Sequence, residues 1–115
     1  MANTFKVITK AGVTSADVIY TVAGSTTTII LGLMLGNTTS GSANATVTLG
    51  TDTANRAGAN NEANQDVELL TTTAIPANTT LELLGGNKVV METTDTLSVT
   101  GSAALDVALS VMEIT

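Results

Sequence analysis

Between Thr26 and Asn37 the chain reads TTTIILGLMLGN, its longest apolar run, with Ile29, Leu31, Leu33 and Leu35 at alternate positions and Ile30, Gly32, Met34 and Gly36 between them. In a pleated strand the first set shares one face and the second set the other. The run therefore predicts a central strand with both faces poor in polar groups. A helix is opposed by the β-branched series Thr26 to Ile30 and by Gly32 and Gly36, each costing about 1 kcal/mol in a helix interior. A membrane-spanning helix is opposed by length, since it needs ~20 apolar residues.

Alternation elsewhere predicts strands at 5–9, 17–23, 43–50, 66–73, 79–84, 88–91, 95–100 and 104–114. Lys6 and Lys10 suit an edge strand, where charge discourages unwanted pairing. Residues 37–42, NTTSGS, form a turn cluster that would join the central strand to 43–50 as a hairpin. Gly85, Gly86 and Asn87 predict a second tight hairpin, because glycine and asparagine tolerate positive φ. Pro76 is a poor central-strand residue and marks a turn. The last strand has the clearest pattern, with Leu105, Val107, Leu109 and Val111 inward and Asp106, Ala108, Ser110 and Met112 outward. Together these elements predict an all-β fold, an antiparallel β-sandwich or jelly roll of about eight short strands. The length of 115 residues suits a single domain over 1–115.

Composition supports the strand reading and removes most chemistry. Threonine makes up about a fifth of the residues and there is one proline; threonine fits a half-buried sheet. The absence of cysteine, histidine and tryptophan excludes disulfides, thiol nucleophiles and the usual zinc and haem ligands. Phe5 and Tyr20 are the only aromatics, and ten acidic against four basic residues give a net charge of −6, so no nucleic-acid partner is expected. Nor is a membrane partner. Tyr20 is expected to lie in the core or at a sheet end with its hydroxyl at water. Glu92, Asp95 and Asp106 are expected to be solvated, with no defined acid and base pair among them. No catalytic residue, cofactor or metal is expected, and the chain is read as a non-enzyme. Three N-glycosylation patterns, at Asn37, Asn44 and Asn78, are ascribed to the abundance of Asn and Thr. The start MANTFKVITK lacks an apolar signal core, so export by that route is not expected.

Two features point to partner contact. If Ile29, Leu31, Leu33 and Leu35 fill the core, Ile30 and Met34 lie on the opposite face, where a soluble monomer ordinarily carries polar groups. They would be covered by another element of the domain or by another subunit, and a homo-oligomer is one way of doing so. Residues 51–64, TDTANRAGANNEAN, have no apolar period and read as a long surface loop whose Asp52, Asn55, Arg56, Asn60, Asn61 and Glu62 are candidate contacts. The oxygen-bearing residues of this loop lack the spacing of a calcium loop.

The segments Tyr20-Thr21-Val22, Thr28-Ile29-Ile30-Leu31-Gly32-Leu33, Ile75-Pro76-Ala77-Asn78-Thr79-Thr80-Leu81-Glu82-Leu83, Asn87-Lys88-Val89 and Leu109-Ser110-Val111-Met112-Glu113-Ile114 occur in that order. In them the chain resembles a family of small virion structural proteins of tailed bacteriophages, notably those of cyanobacteria and other aquatic bacteria. Asn78 stands where that family commonly has glycine, a departure that still permits a left-handed turn. The resemblance implies a protein made in the host bacterial cytoplasm and placed on the particle surface, bound to other virion proteins. A capsid decoration or cement protein on the major capsid protein is the favoured role. A tail, neck or fibre-associated component is the alternative, and a host-glycan-binding sandwich is disfavoured by the scarcity of aromatics.

Overall fold

The computed structural model describes residues 2–51, 65–84 and 87–115. Nine strands follow one another without a helix among the described residues: β1 (Asn3–Val13), β2 (Ala16–Thr21), β3 (Thr27–Asn37), β4 (Ala43–Thr51), β5 (Gln65–Ile75), β6 (Thr80–Leu83), β7 (Val89–Met91), β8 (Thr96–Gly101) and β9 (Leu105–Ile114). They form two antiparallel sheets, a β-sandwich as the alternation predicts. The larger has the order β1-β9-β3-β6, with β7 also paired to β3; the smaller has the order β2-β8-β4-β5.

The core lies between the sheets. Ile30, Leu33, Leu35, Leu105, Leu109 and Val111 from the larger sheet meet Ala45, Val47, Leu97 and Val99 from the smaller, all fully buried or nearly so. These side chains are aliphatic, so the interior is held by many small dispersion contacts rather than by stacked rings. Gly101 makes room for the end of β1 to cross toward the smaller sheet: a Cβ there would stand 2.5 Å from the Val13 carbonyl oxygen.

Three expectations are corrected. Residues 37–42 do not make a hairpin, because β3 belongs to the larger sheet and β4 to the smaller. The turn is instead an arch between sheets, fastened by Asn37. Its Nδ2 donates to the carbonyls of Gly41 (2.8 Å), Ile75 (2.9 Å) and Pro76 (3.3 Å), and its Oδ1 accepts from the Thr39 backbone N (2.9 Å) and hydroxyl (2.7 Å). Second, β6 and β7 do not pair with each other. Both run antiparallel to β3, against Leu33–Gly36 and Thr28–Ile30 respectively, as one interrupted edge strand. Third, the central strand changes face partway. Ile30 pairs with Val111 and Gly32 with Ser110, so Leu31 is the extra residue of a β-bulge. Thr28 and Ile30 point inward before it, and Leu33, Leu35 and Asn37 after it. A single inserted residue exchanges the faces, which strict alternation cannot anticipate.

The turn after Pro76 has Asn78 at φ 57°, the left-handed conformation its side chain permits.

Candidate docking face

The outer face of the larger sheet is built by register. Opposite residues on adjacent strands share a face, and Val111, Leu109 and Val107 of β9 point inward. Their partners on β1 are Lys6, Ile8 and Lys10, so Phe5, Val7 and Thr9 point outward. This orientation runs against first intuition, since it turns the lysine side of β1 inward. The lysine stems can lie along the sheet while their ammonium groups reach carboxylates: Lys6 Nζ is 2.8 Å from Glu113 Oε1 and Lys10 Nζ is 3.5 Å from Asp17 Oδ2.

Across the strands, Phe5 stands opposite Met112, Met112 opposite Ile29, and Ile29 opposite Val90. These four make one apolar row over β1, β9, β3 and β7. Phe5 is 70% exposed and Val90 52%, at the two ends of the row, with Val7 63% exposed beside it. The next rows are Val7–Ser110–Gly32 and Thr9–Ala108–Met34, with Glu82 beyond Met34. Met34 is 48% exposed and borders a shallow groove of about 460 Å³ that also takes in Thr9, Lys10, Gly36, Thr80 and Asp106.

The structure treats the expected contact residues unequally. Met34 is outward as expected. Ile30 is wholly buried and has no surface to offer; the β-bulge gives its expected place to Ile29. Asp52, Asn55, Arg56, Asn60, Asn61 and Glu62 lie outside the described residues. The sequence places Met112 outward but Ile29 in the core, which the β-bulge reverses, and it gives Phe5 and Val90 no contact role, although Phe5 and Val7 already alternate with Lys6 there. That signal is ambiguous, because either side of such a strand can face the core.

The outer face of the smaller sheet is different in kind. Its rows read Thr21–Thr96–Gly50–Asp66, Val18–Ser98–Thr48–Glu68 and Ala16–Thr100–Thr46. Hydroxyls and carboxylates dominate it, as expected of a face left to water.

Two polar groups depart from expectation. The Tyr20 hydroxyl is not left to water: it donates to Glu113 Oε2 at 2.6 Å and lies 2.7 Å from Thr28 Oγ1, joining β2 of one sheet to β3 and β9 of the other. Burial and the Glu113 carboxylate push the phenol up to about 12. Hydrogen bonds from Lys6 and Tyr20 hold the Glu113 carboxyl below its ordinary value. Asp95 is fully buried rather than solvated, because its Oδ2 accepts the Glu92 backbone N–H at 2.9 Å and closes the turn 92–95 from inside. Asp106 is exposed and accepts the Gly12 N–H at 3.1 Å. Among the described residues no three His, Cys, Asp or Glu side chains gather as metal ligands, and no helix is long and apolar enough to cross a membrane.

No family model matches the chain and no curated protein matches it. Among solved structures, a subunit of Bacillus endospore appendages, described as disulfide-linked pili, is similar over 97% of this chain and 84% of that one, at 15% identity and TM-score 0.49. A chain of the T13 IBDV viral particle is similar over 98% of this chain but 39% of that one, at 12% identity and TM-score 0.27. Neither likeness is strong enough to carry a role to this chain.

Proposed function

We propose that the chain is a non-enzymatic structural protein of a bacteriophage particle, a decoration or cement protein that docks on the assembled shell through the outer face of its larger sheet. The observation carrying this reading is the in-register row Phe5–Met112–Ile29–Val90, which places the chain's one phenylalanine in water. Apolar surface removed from water contributes roughly 25 cal/mol per Å², so covering such a row supplies attachment free energy without any new chemistry. The opposite face, rich in threonine, suits exposure to solvent. One side holds and the other faces out, the arrangement an attached subunit requires. The resemblance of Ile75–Leu83 and Leu109–Ile114 to phage virion proteins supplies the particle.

The test adds purified protein to particles lacking it and measures affinity and copies bound. The intact chain saturates at a shell-wide copy number, and Val90→Glu, at a half-exposed position, binds much more weakly while keeping its β spectrum. Unchanged binding by Val90→Glu overturns the docking face. Saturation at the few copies of a neck or tail ring moves the seat to those parts and overturns the shell assignment.

A further inference from the structure

The apolar row ends at β1, which among the described residues pairs on one side only. Four strands lie at sheet edges: β1 and the broken β6/β7 line in the larger sheet, β2 and β5 in the smaller. Three of them are irregular. The β6/β7 line is interrupted between Leu83 and Val89, β2 shifts register between Val18 and Tyr20, and β5 shifts twice against β4 and holds Thr72 at φ 42°. Interruptions and bulges of this kind blunt an edge against further pairing. β1 also shifts register, between Lys10 and Val13, but before that it keeps eight consecutive pairs, from Asn3 to Lys10, the longest regular run on any of the four edges.

Lysines commonly guard such an edge by standing where an added strand would lie. In β1 they are drawn away. Lys6 is bound to Glu113 on β9, the neighbour inside the sheet, and Lys10 reaches Asp17 on β2. The edge is thereby left long, regular and lightly defended.

We infer that β1 pairs antiparallel with β1 of a second copy about a two-fold axis at Val7, joining the two larger sheets into one continuous sheet. This deepens the docking proposal, since the apolar row of one copy is then continued by the Thr9–Ala108–Met34 row of the other, but it makes its own claim about self-association.

The register follows from charge, regularity and length, for β1 begins at Asn3 and a pairing centred on Thr4 or Phe5 keeps at most five residues of each strand in the ladder. A two-fold axis perpendicular to the sheet sets each residue against one on the same face, so the axis falls at a residue. Centred on Lys6 or Lys10, the pairing opposes a lysine to its own copy; centred on Ile8, it opposes Lys6 to Lys10. Like charges directly opposite are destabilising. Centred on Thr9, it runs into Gly12, at φ 69° within the register shift between Lys10 and Val13. Centred on Val7, it sets Val7 against Val7, Phe5 against Thr9, Lys6 against Ile8 and Lys10 against Thr4. No lysine faces another, and the ladder stops short of the distortion. The exposed Val7 is then covered by its own copy, as an isologous interface requires.

The native chain has no cysteine, so a single introduced thiol reports contact cleanly. Val7→Cys, on the axis, is compared under mild oxidation with Val67→Cys, which is 48% exposed on β5, at the edge of the smaller sheet opposite β2. The expected result is rapid disulfide-linked dimer from Val7→Cys and at least tenfold slower linkage from Val67→Cys. Sedimentation of the intact protein gives two subunits, and Val7→Lys gives one with an unchanged circular dichroism spectrum. A monomeric intact protein at high concentration, or equal linkage of the two cysteine variants, overturns the pairing. Val90→Glu separates the claims: it remains dimeric if β1 pairs as described, whatever it does to docking on particles.

Discussion

Two polar side chains hold the sheets together in ways that aliphatic packing cannot. Asn37 is 2% exposed and has two amide hydrogens for three carbonyls, so the longest contact, to Pro76, shares a donor. Its orientation is fixed by the partners: carbonyls surround the nitrogen, and an N–H and a hydroxyl surround the oxygen. Asn37→Ala would leave the carbonyl of Ile75 and the N–H of Thr39 without that partner, at about 1–3 kcal/mol for a buried group left unsatisfied. Urea unfolding should show a loss of at least this size, with the slope unchanged. The Tyr20–Glu113–Lys6 chain makes stability depend on pH at both ends. The Glu113 carboxyl, with the Lys6 ammonium as the main cause, titrates below its ordinary 4.5 in the fold; its contribution is present above that value and disappears as pH falls through the lowered one. Tyr20 titrates at about 12 rather than 10.0, so its contribution is complete below pH 10 and disappears as pH rises toward 12. Urea midpoints measured across pH should fall on both sides. Tyr20→Phe should lower the plateau by about 1 kcal/mol and flatten the alkaline fall, and Glu113→Gln should flatten the acid one. Limbs that stay parallel to the native ones would remove this network from the account of stability.

At the scale of elements, the β-bulge at Leu31 decides what the central strand presents. Ile30 is fully buried and Met34 half-exposed, so glutamate substitutions at the two positions should behave oppositely. Ile30→Glu places a carboxylate in an aliphatic core and should cost several kcal/mol, enough to unfold a small domain. Met34→Glu should shift stability by less than about 1 kcal/mol, the range for exposed sites with some added repulsion from Glu82 opposite. Urea unfolding of both variants checks this, and similar losses would place the face change elsewhere. The same pair shows what the sequence makes legible. Strand positions and the inward set of β9 follow from period two, because that strand runs without interruption and each side chain alternates. The faces of β3 do not follow, since a bulge costs one residue and leaves no composition signal beside Gly32. Pairing is harder still. The turn at 37–42 has hairpin chemistry, yet it arches between sheets because buried Asn37 binds the end of β5, a contact 38 residues away in sequence. Met34 alone of the described expected contacts lies on the docking face, and its apolar row is assembled from four strands whose register no local pattern encodes.

For the whole molecule, which measures 45 × 28 × 22 Å, the difference between its two outer faces is the property a particle would read. The larger sheet presents Phe5, Val7, Met34 and Val90, whereas the smaller presents rows of mainly Thr, Ser, Asp and Glu, with Val18 at the end of one of them. Attachment through the larger sheet would bury apolar groups at little polar cost; attachment through the smaller would desolvate hydroxyls and carboxylates that each need a new partner. Matched charge substitutions therefore separate the two orientations. Thr48→Lys and Val90→Lys each add one positive charge to this acidic chain, so a non-specific electrostatic effect on docking would be similar for both. Burial against a shell is not similar: Val90→Lys should weaken attachment by at least tenfold, about 1.4 kcal/mol, while Thr48→Lys should leave it within twofold. Val90 is exposed and Thr48 partly buried in its sheet face, so both variants should unfold within about 1 kcal/mol of the native chain, and unfolding measured alongside separates a loss of binding from a loss of fold. Binding of the two purified variants to particles lacking the protein, at one salt concentration, is the measurement. Equal binding would mean that neither outer face is the seat. A selective loss with Thr48→Lys would reverse the orientation and turn the apolar row outward, where only self-association is left to cover it.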